Sequence, residues 1–317
     1  MIDLHTHTNC SDGTDSPAQL VNKALAEGLT LLALTDHDTT SGWESAQKTL
    51  RGDLSLALGA EVSCLTSDGI SVHMLGLLFD GAHSQMQEML ENTRDGRIPR
   101  ARKIIELLNA GGIKISMEDV ESAKPVGATL GRPHIADALV KNGVVSSRDE
   151  AFTDLLHNNS PYYVAHLAPT PEYAISMIRS AGGVAVIAHP FASHRGKVLS
   201  SADFLPLKNA GLNGIEVNHR DHNNEERNAL VDIAREMDLV VTGASDYHGT
   251  GKLNSLGETI PIRHNGNVLN QRRINEGSSR YEHWRNNRRN FCTPSICDPI
   301  CNYGSTRCNA NFSWFSF

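Results

Sequence analysis

Short apolar runs recur along the chain, and a polar side chain follows most of them. The runs are rich in Leu, Val, Ile and Ala and are too short for buried helices. Most lack a regular alternation of apolar and polar positions, which is typical of parallel strands buried on both faces. We therefore predict seven β-strands. They lie at residues 1–4, 29–34, 54–58, 71–77, 183–188, 214–215 and 239–242.

Helical segments separate several of these runs. Ser16 can cap a helix whose first position is Pro17, and Gly28 ends it. Similar patterns predict helices over residues 171–181 and 225–237. Repeated alternation of strand and helix indicates an α/β protein with crossover helices. With about seven repeats and polar residues after the strands, a barrel is the economical architecture, because such barrels build their sites at the carboxyl ends of the strands.

Residues 84–165 interrupt this rhythm. A long, charged helical stretch over 85–109, which we expect to break near Pro99, is followed by shorter helical pieces. We predict a small helical insertion that could cover the substrate, between barrel segments 1–83 and 166–257. For most of its charged residues, a solvated helix pair is an equally good interpretation.

Composition and charge narrow the class of protein. A single α/β barrel accommodates 317 residues, and no apolar run approaches the roughly 20 residues of a membrane helix. With no leader pattern before His5, and with Cys10 and Cys64 isolated in the barrel portion, we expect a cytoplasmic protein without a membrane partner. The net charge of −7 argues against a groove for duplex nucleic acid. Small anionic molecules and the ends of single strands stay possible as substrates. The sequence does not indicate the oligomeric state.

Candidate metal ligands begin with His5 and His7. They lie two residues apart on a predicted strand, so both imidazoles project from one face. Such a pair alone is a weak signal that surface or core histidines also give. Further candidates near strand ends are Asp12, His37, Glu61, His73, His189, Asp246 and His248. Nine candidates favour a many-ligand metal site, and imidazole with carboxylate suits Mn²⁺, Fe²⁺ or Zn²⁺.

Six motifs together resemble the polymerase and histidinol phosphatase (PHP) superfamily of metal-dependent phosphoesterases. They are His5-Thr-His-Thr8, Thr35-Asp-His-Asp38, Gly59-Ala-Glu61, Val72-His-Met-Leu-Gly76, Ala188-His-Pro190 and Ser245-Asp-Tyr-His248. The resemblance runs to about Gly257 and is greatest to bacterial members that act on 3′,5′-nucleoside bisphosphates and on the 5′ ends of short RNAs. It implies a distorted (β/α)7 barrel with a helical insertion and three divalent metal ions.

The resemblance also implies a division of the ligands. The first ion would be held by His5, His7, Glu61 and Asp246, the second by Glu61, His73 and His189, and the third by Asp12, His37 and His248. Two ions about 3.5–4 Å apart can share a hydroxide and grip phosphate oxygens. We therefore expect a metal-bound hydroxide, held at the bridging Glu61, to attack the phosphate. Asp36 or Asp38 could orient a ligand imidazole, although capping of a strand end explains either residue equally well.

Substrate recognition requires donors beyond the metals. Arg132 and His134 resemble the family's phosphate-contacting pair on the insertion, and a guanidinium fits a phosphate bidentately. His219 and His222 follow a strand and could contact a phosphate or protonate the leaving oxygen. The alternatives for these four residues are interdomain packing and helix capping.

The predicted reaction is metal-dependent hydrolysis of nucleotide phosphomonoesters. Its expected substrates are 3′,5′-nucleoside bisphosphates, which would lose the 3′-phosphate, and short single-stranded RNA with a 5′-phosphate. One alternative is a non-nucleotide substrate such as histidinol phosphate, which the Gly131-Arg-Pro-His134 insertion disfavours. Another is a non-catalytic metal-binding module, which the nine retained ligands disfavour.

The resemblance fails over residues 258–317, where Asn and Arg are frequent and apolar periodicity is lost. This segment contains Cys292, Cys297, Cys301 and Cys308. Four cysteines are enough for a small zinc module, but their spacing fits no established pattern. We therefore favour a disordered or out-of-frame tail.

Overall fold

The computed structural model describes residues 1–258, apart from the side chain of His194, and the backbone of two further short strands. The strands are β1 (Ile2–Asp3), β2 (Leu31–Leu34), β3 (Ser55–Leu65), β4 (Ser71–Leu77), β5 (Val184–Ala188), β6 (Gly214–Asn218), β7 (Val240–Gly243), β8 (Arg263–His264) and β9 (Asn267–Val268). The predictions for the tail, including its four cysteines, otherwise lie outside the described residues.

The helices occupy both the barrel portion and the insertion. They are α1 (Pro17–Ala26), α2 (Trp43–Thr49), α3 (Ser84–Asp95), α4 (Arg97–Ala110), α5 (Met117–Ala123), α6 (Arg132–Lys141), α7 (Arg148–Asp154), α8 (Pro171–Ser180), α9 (Phe204–Ala210) and α10 (Asn224–Glu236). None of the helices in the described part of the chain is long and apolar enough to cross a membrane.

Strands β1 to β7 form one sheet in chain order. Beyond β1 and β7, Thr6 and Tyr247 form a parallel bridge, and the backbone N–H of His7 donates to the carbonyl of Tyr247 at 2.8 Å. This bridge brings the two edges of the sheet together, and the result is a nearly closed barrel. The predicted fold class, a distorted (β/α)7 barrel with additional helices, is confirmed.

Strand β4 runs antiparallel to both of its neighbours, whereas most of the apolar runs were predicted to be parallel strands. The connection from β3 to β4 is a short turn, in which the N–H of Ile70 donates to Thr66 Oγ1 at 2.8 Å. A turn of this length allows only a hairpin, because parallel neighbours need a crossover. The amino end of β4 therefore lies at the barrel rim where the parallel strands end, and His73 pairs there with Ala188.

Strand β3 is longer than predicted. It continues seven residues beyond Leu58, the expected end, to Leu65. Glu61 therefore lies within the strand and not after it. Its neighbours on both sides are buried, which is typical of a strand covered on two faces.

The predicted capping of α1 is confirmed. Ser16 Oγ accepts from the N–H of Gln19 at 3.3 Å, and Gln19 Oε1 accepts from the N–H of Ser16 at 2.8 Å. Pro17 occupies the first helical turn, and Gly28 follows the helix with a φ of 71°, which favours glycine. The helices predicted near residues 171 and 225 are present as α8 and α10, whereas the short helices α2 and α9 were not predicted.

The helical break in the insertion lies at Gly96 and not near Pro99, as was expected. Helix α3 ends at Asp95 and α4 begins at Arg97. Pro99 falls in the first turn of α4, where a backbone N–H has no partner within the helix. The proline is therefore compatible with a continuous α4.

The apolar contacts form separate clusters in the insertion and in the barrel. Buried side chains from α4 to α7 and their connections form one cluster, which includes Leu108 and Leu139. Met86 and Leu90 of α3 belong instead to the barrel cluster, with Ile178. The division of the chain into barrel, insertion and tail stays a prediction, and this packing favours an insertion core that begins at α4.

A buried ion pair joins α4 to the barrel. The guanidinium of Arg97 donates to Asp38 Oδ2 through Nε at 3.0 Å and also through Nη2. The same group donates to Ser63 Oγ at 2.8 Å and to the carbonyl of Leu130 at 3.1 Å. The side chain of Asp38 is fully buried and that of Arg97 is 9% exposed. This pair therefore fixes the insertion against the rim.

Arg97→Met is expected to lower the free energy of unfolding by about 3–5 kcal/mol, because it leaves the Asp38 carboxylate buried without its partner. Urea denaturation followed by circular dichroism measures this loss. Arg102→Met, at an exposed position of the same helix, is the matched control and should stay within about 0.5 kcal/mol of the parent protein. Equal stability of the two variants would contradict the importance of the pair.

Candidate metal centre

All nine predicted ligands lie at one rim of the barrel. Parallel strands bring His37, His189 and Asp246 to this rim at or beyond their carboxyl ends, and the reversed strand β4 brings His73 from its amino end. The residues that the structure brings together are His5, His7, Asp12, His37, Glu61, His73, His189, Asp246 and His248. Which of them bind metal stays a prediction.

The first group of potential ligands surrounds one oxygen of Glu61. Glu61 Oε2 lies 3.2 Å from His5 Nε2 and 3.0 Å from His7 Nε2, and these two nitrogens are 3.1 Å apart. Asp246 Oδ1 lies 3.5 Å from each of them. Adjacent ligand atoms at about 2.0–2.2 Å from one ion lie about 2.8–3.6 Å apart in octahedral or tetrahedral arrangements. The group therefore fits a single cation.

The other oxygen of Glu61 faces a second pair of imidazoles. Glu61 Oε1 lies 2.7 Å from His73 Nδ1 and 3.2 Å from His189 Nε2. The carboxylate thus lies between two groups of nitrogen donors. This is the position that a carboxylate shared by two ions requires.

A third group forms around Asp12. Its Oδ1 lies 3.2 Å from His248 Nε2 and 3.5 Å from His7 Nδ1, and its Oδ2 lies 3.7 Å from His37 Nε2. Within the described residues, His248 Nε2 is buried and makes no hydrogen bond, so its lone pair is available to a cation. His37 and His7 also face Glu61 through their other nitrogens, so the proposed assignment of each to one ion is not unique.

Two buried carboxylates orient the ligand side chains from behind. Glu216, on β6, lies 3.1 Å from His5 Nδ1 through Oε1 and accepts from the N–H of His189 at 2.9 Å through Oε2. Asp36 accepts from Ser11 Oγ at 2.7 Å, and that hydroxyl lies 3.3 Å from His7 Nδ1. Such contacts fix the ring orientation of a ligand histidine.

Of the two acidic residues that flank His37, only Asp36 takes part in this support, because Asp38 pairs with Arg97. Glu216 was not assigned a function from the sequence. Its only sequence signal is its position directly after the strand predicted at residues 214–215.

The predicted phosphate contacts Arg132 and His134 are engaged within the insertion. Arg132 Nη1 donates to the carbonyl of Leu156 at 2.7 Å and to Asn158 Oδ1 at 2.9 Å. His134 Nδ1 accepts from the N–H of Gly131 at 3.0 Å, so this ring caps α6. These contacts agree with the packing and capping alternatives, and phosphate contact by either residue stays a prediction.

The two predicted proton donors differ in their surroundings. His222 contacts the carbonyl of Val217 through Nδ1 at 3.0 Å and accepts from the N–H of Phe191 through Nε2 at 3.2 Å, so backbone groups use both nitrogens. His219 Nδ1 accepts from the N–H of Asp221 at 3.1 Å, which places the ring hydrogen on Nε2. That nitrogen lies at the rim, 3.4 Å from Asp246 Oδ2, so His219 is the better placed donor.

Two cations at the rim were not predicted from the sequence. Arg195 Nη2 lies 3.1 Å and Lys252 Nζ 2.7 Å from Asp246 Oδ2. Both residues lie in loops that follow barrel strands, β5 and β7 respectively. Their positions follow from loop geometry, and neither belongs to a motif that we could recognise in the sequence.

Several known proteins are similar to this chain. The family model of the PHP domain matches residues 3–125. The chain is 34% identical over 252 residues to the 3′,5′-nucleoside bisphosphate phosphatase of Chromobacterium violaceum, which covers 79% of this chain and 88% of that protein. The chain belongs to the PHP family. The motif resemblance found in the sequence is thereby confirmed.

Two further similarities extend over most of this PHP protein. The 5′-3′ exoribonuclease Rnm of Escherichia coli is 34% identical over 256 residues, covering 78% of the chain and 85% of that protein. A crystal structure from Bifidobacterium adolescentis, assigned as a metal-dependent phosphoesterase, superposes with a TM-score of 0.79 at 38% identity and covers 88% of this chain and 96% of its own. The predicted enzyme class, a metal-dependent phosphoesterase, is confirmed.

At the candidate metal centre, the surroundings of two carboxylates favour the ionised state that metal ligation requires. Burial alone would raise the pKa of Glu61, but His73, His37 and His5 together hold it well below its ordinary value. For Asp12, burial is likewise outweighed by His248 and His37, which lower its pKa. Metal ligands of this type must be deprotonated.

The imidazoles of the centre divide into two classes. Burial lowers the pKa of His37 well below its ordinary value, and burial with Lys252 nearby lowers that of His248 to about 4. Although burial opposes it, Glu61 and Glu216 raise the pKa of His5. A cation that binds His5 must therefore displace a proton, so we expect metal affinity to fall in acid.

Glu61→Gln is expected to weaken metal binding by at least about 10–100-fold, the loss that follows when only an outer partner of a ligand is removed. The physical reason is that one carboxylate serves two groups of donors. Elemental analysis after dialysis at a fixed free metal concentration measures the loss. Glu44→Gln, on the exposed side of α2, is the control, and equal metal content in the two variants would refute the ligand scheme.

Proposed function

We propose that the protein removes phosphate from nucleotides in a metal-dependent reaction. The preferred substrates are 3′,5′-nucleoside bisphosphates, which lose the 3′-phosphate, and short single-stranded RNA with a 5′-phosphate is a further substrate. The observation that carries the proposal is the position of Glu61, whose two oxygens face separate groups of imidazoles. The names of the relatives from Chromobacterium violaceum and Escherichia coli support the choice of nucleotide and RNA substrates.

The residues that would hold the cations form three groups. They are His5, His7, Glu61 and Asp246; Glu61, His73 and His189; and Asp12, His37 and His248. Imidazole and carboxylate donors suit Mn²⁺, Fe²⁺ or Zn²⁺. When bound, such ions supply a nucleophile from water at neutral pH and offset the charge of phosphate oxygens.

Side chains of the protein would orient the ligand histidines and donate a proton. The carboxylate of Glu216 and the hydroxyl of Ser11 keep the rings of His5 and His7 turned toward the substrate side. His219 presents its Nε2 hydrogen at the same rim, 3.4 Å from Asp246 Oδ2. We propose that His219 donates this hydrogen to the leaving oxygen. His222 would hold the loop through its contacts with backbone groups.

An open cavity of about 370 Å³ next to the rim supports a substrate larger than inorganic phosphate. Its lining residues are Ser193, Arg220, Asp221, His222, Asn223 and Glu226. Asp221 also holds Arg195, which contacts Asp246, so the cavity is connected to the centre through one side chain. The polar side chains of this lining can form hydrogen bonds with the hydroxyl groups and base edges of a nucleoside.

Adenosine 3′,5′-bisphosphate should be hydrolysed by the metal-loaded protein with a kcat/KM at least about tenfold above that for histidinol phosphate. Release of inorganic phosphate measures both reactions, and chromatography of a short 5′-phosphorylated RNA tests for release of mononucleotides. Glu61→Gln serves as the inactive control. Preference for histidinol phosphate would overturn the substrate assignment.

His219→Gln should lower kcat for the nucleotide by about 100-fold or more, because the leaving alkoxide loses its proton donor. The same variant should hydrolyse p-nitrophenyl phosphate almost as fast as the parent protein, since nitrophenolate leaves without a proton. Metal content is measured in parallel. An equal loss with both substrates would argue against proton donation by His219.

A further inference from the structure

Three nitrogen groups converge on one oxygen of Asp246. Its Oδ2 lies 2.7 Å from Lys252 Nζ, 3.1 Å from Arg195 Nη2 and 3.4 Å from His219 Nε2. The other oxygen, Oδ1, faces His5 at 3.5 Å, on the side of the candidate metal ligands. The carboxylate therefore separates a metal side from a cationic side.

Lys252 and Arg195 both contact Asp246, but they differ in their other partners. Arg195 has a second carboxylate partner, Asp221, to which its Nε donates at 2.7 Å. Lys252 Nζ, in contrast, has Asp246 Oδ2 as its one hydrogen-bond acceptor among the described residues. A cation bound at Oδ1 would compensate the charge of Asp246 from the metal side. Lys252 would then carry positive charge that an anion can use.

The exposed fractions of these side chains show that the two cations lie nearer to the solvent than Asp246 does. The side chain of Asp246 is 2% exposed, whereas those of Arg195 and Lys252 are 32% and 34% exposed. The two cations thus lie between a buried carboxylate and the solvent, where a substrate arrives. An ammonium at this place can turn from the carboxylate to an incoming anion without being dehydrated completely.

The two cations differ in how firmly they are held. The carbonyl of Arg195 accepts from Asn158 Nδ2 at 2.6 Å, so the insertion fixes the backbone that carries this guanidinium. Lys252 follows the short turn Gly249–Gly251, in which the N–H of Thr250 donates to Thr14 Oγ1 at 2.8 Å. The loop is anchored, while the long lysine side chain keeps its freedom.

We propose that Lys252 and Arg195 form a phosphate clamp beside the metal centre. Lys252 Nζ leaves Asp246 Oδ2 and binds an oxygen of the phosphate to be hydrolysed, and the Arg195 guanidinium binds a second oxygen of the same group. The ligand class is a phosphate monoester dianion or inorganic phosphate. This inference rests on the proposed function, because it assigns contacts to the phosphate at that same centre.

Lys252→Met tests the clamp, because methionine keeps much of the length of the side chain and removes the charge. Isothermal titration of the metal-loaded protein with inorganic phosphate should show a Kd about tenfold higher, the effect of losing one charged contact. The KM for p-nitrophenyl phosphate should rise by a similar factor, more than kcat changes. Lys252→Arg should recover most of the affinity.

Lys48→Met, on the exposed face of α2, is the matched control and should bind phosphate like the parent protein. Arg195→Met should weaken phosphate binding by at least as much as Lys252→Met, because Arg195 is the better-fixed of the two cations. Phosphate binding by Lys252→Met that equals that of the parent protein would overturn the proposal. Loss of bound metal from Lys252→Met would also overturn it, since the lysine would then only be holding Asp246.

The phosphate titration separates this inference from the proposed function. If the parent protein does not hydrolyse adenosine 3′,5′-bisphosphate but Lys252→Met still weakens phosphate binding, the substrate assignment fails and the clamp stands. If the nucleotide is hydrolysed while phosphate affinity is insensitive to Lys252, the clamp fails and the substrate assignment stands. Failure of the metal-loaded parent protein to bind phosphate at all would contradict the clamp.

Discussion

The carboxylate of Glu61 is the interaction on which the rest of the structure depends. Five imidazole nitrogens lie 2.7–3.2 Å from its two oxygens, although the side chain is only 1% exposed. Removal of a carboxylate from water is costly unless partners compensate its charge, so every strand that faces Glu61 has to supply a donor. That requirement explains why histidines accumulate at one rim of the barrel, and why further carboxylates such as Glu216 stand behind them.

The reversal of β4 meets the same requirement by a topological route. A barrel of parallel strands offers its carboxyl ends to the site, and the residues early in each strand lie at the opposite rim. Because β4 enters through a hairpin, His73 faces the long strand β3 and also His189 after β5. The antiparallel strand β4 therefore places His73, near its amino end, beside the second oxygen of Glu61. If β4 were parallel to its neighbours, a residue from its carboxyl end would lie there instead.

Features set by local sequence were predictable, whereas features set by distant neighbours were not. The cap of α1 at Ser16 and the stop at Gly28 depend on residues within one turn. Most of the nine candidate ligands follow the ends of apolar runs, whereas Glu61 and His73 lie within β3 and β4. The length of β3 and the direction of β4 depend on pairing with other strands. The contacts of Lys252 and Arg195 depend on loop geometry, which periodicity does not encode. The helical break was predicted near Pro99 and not at Gly96, because a proline in the interior of a helix usually breaks it. Pro99 lies instead in the first turn of α4.

The closure of the barrel joins two distant stretches of chain. Thr6 pairs with Tyr247, and the buried Asp3 accepts from the N–H groups of Ser245 and Gly257 at 3.1 and 2.8 Å. During synthesis the early histidines leave the ribosome long before Asp246 does, so a nascent chain has no complete centre. The candidate centre is therefore complete only after the chain has folded as far as His248, so we expect metal binding to depend on the closed barrel.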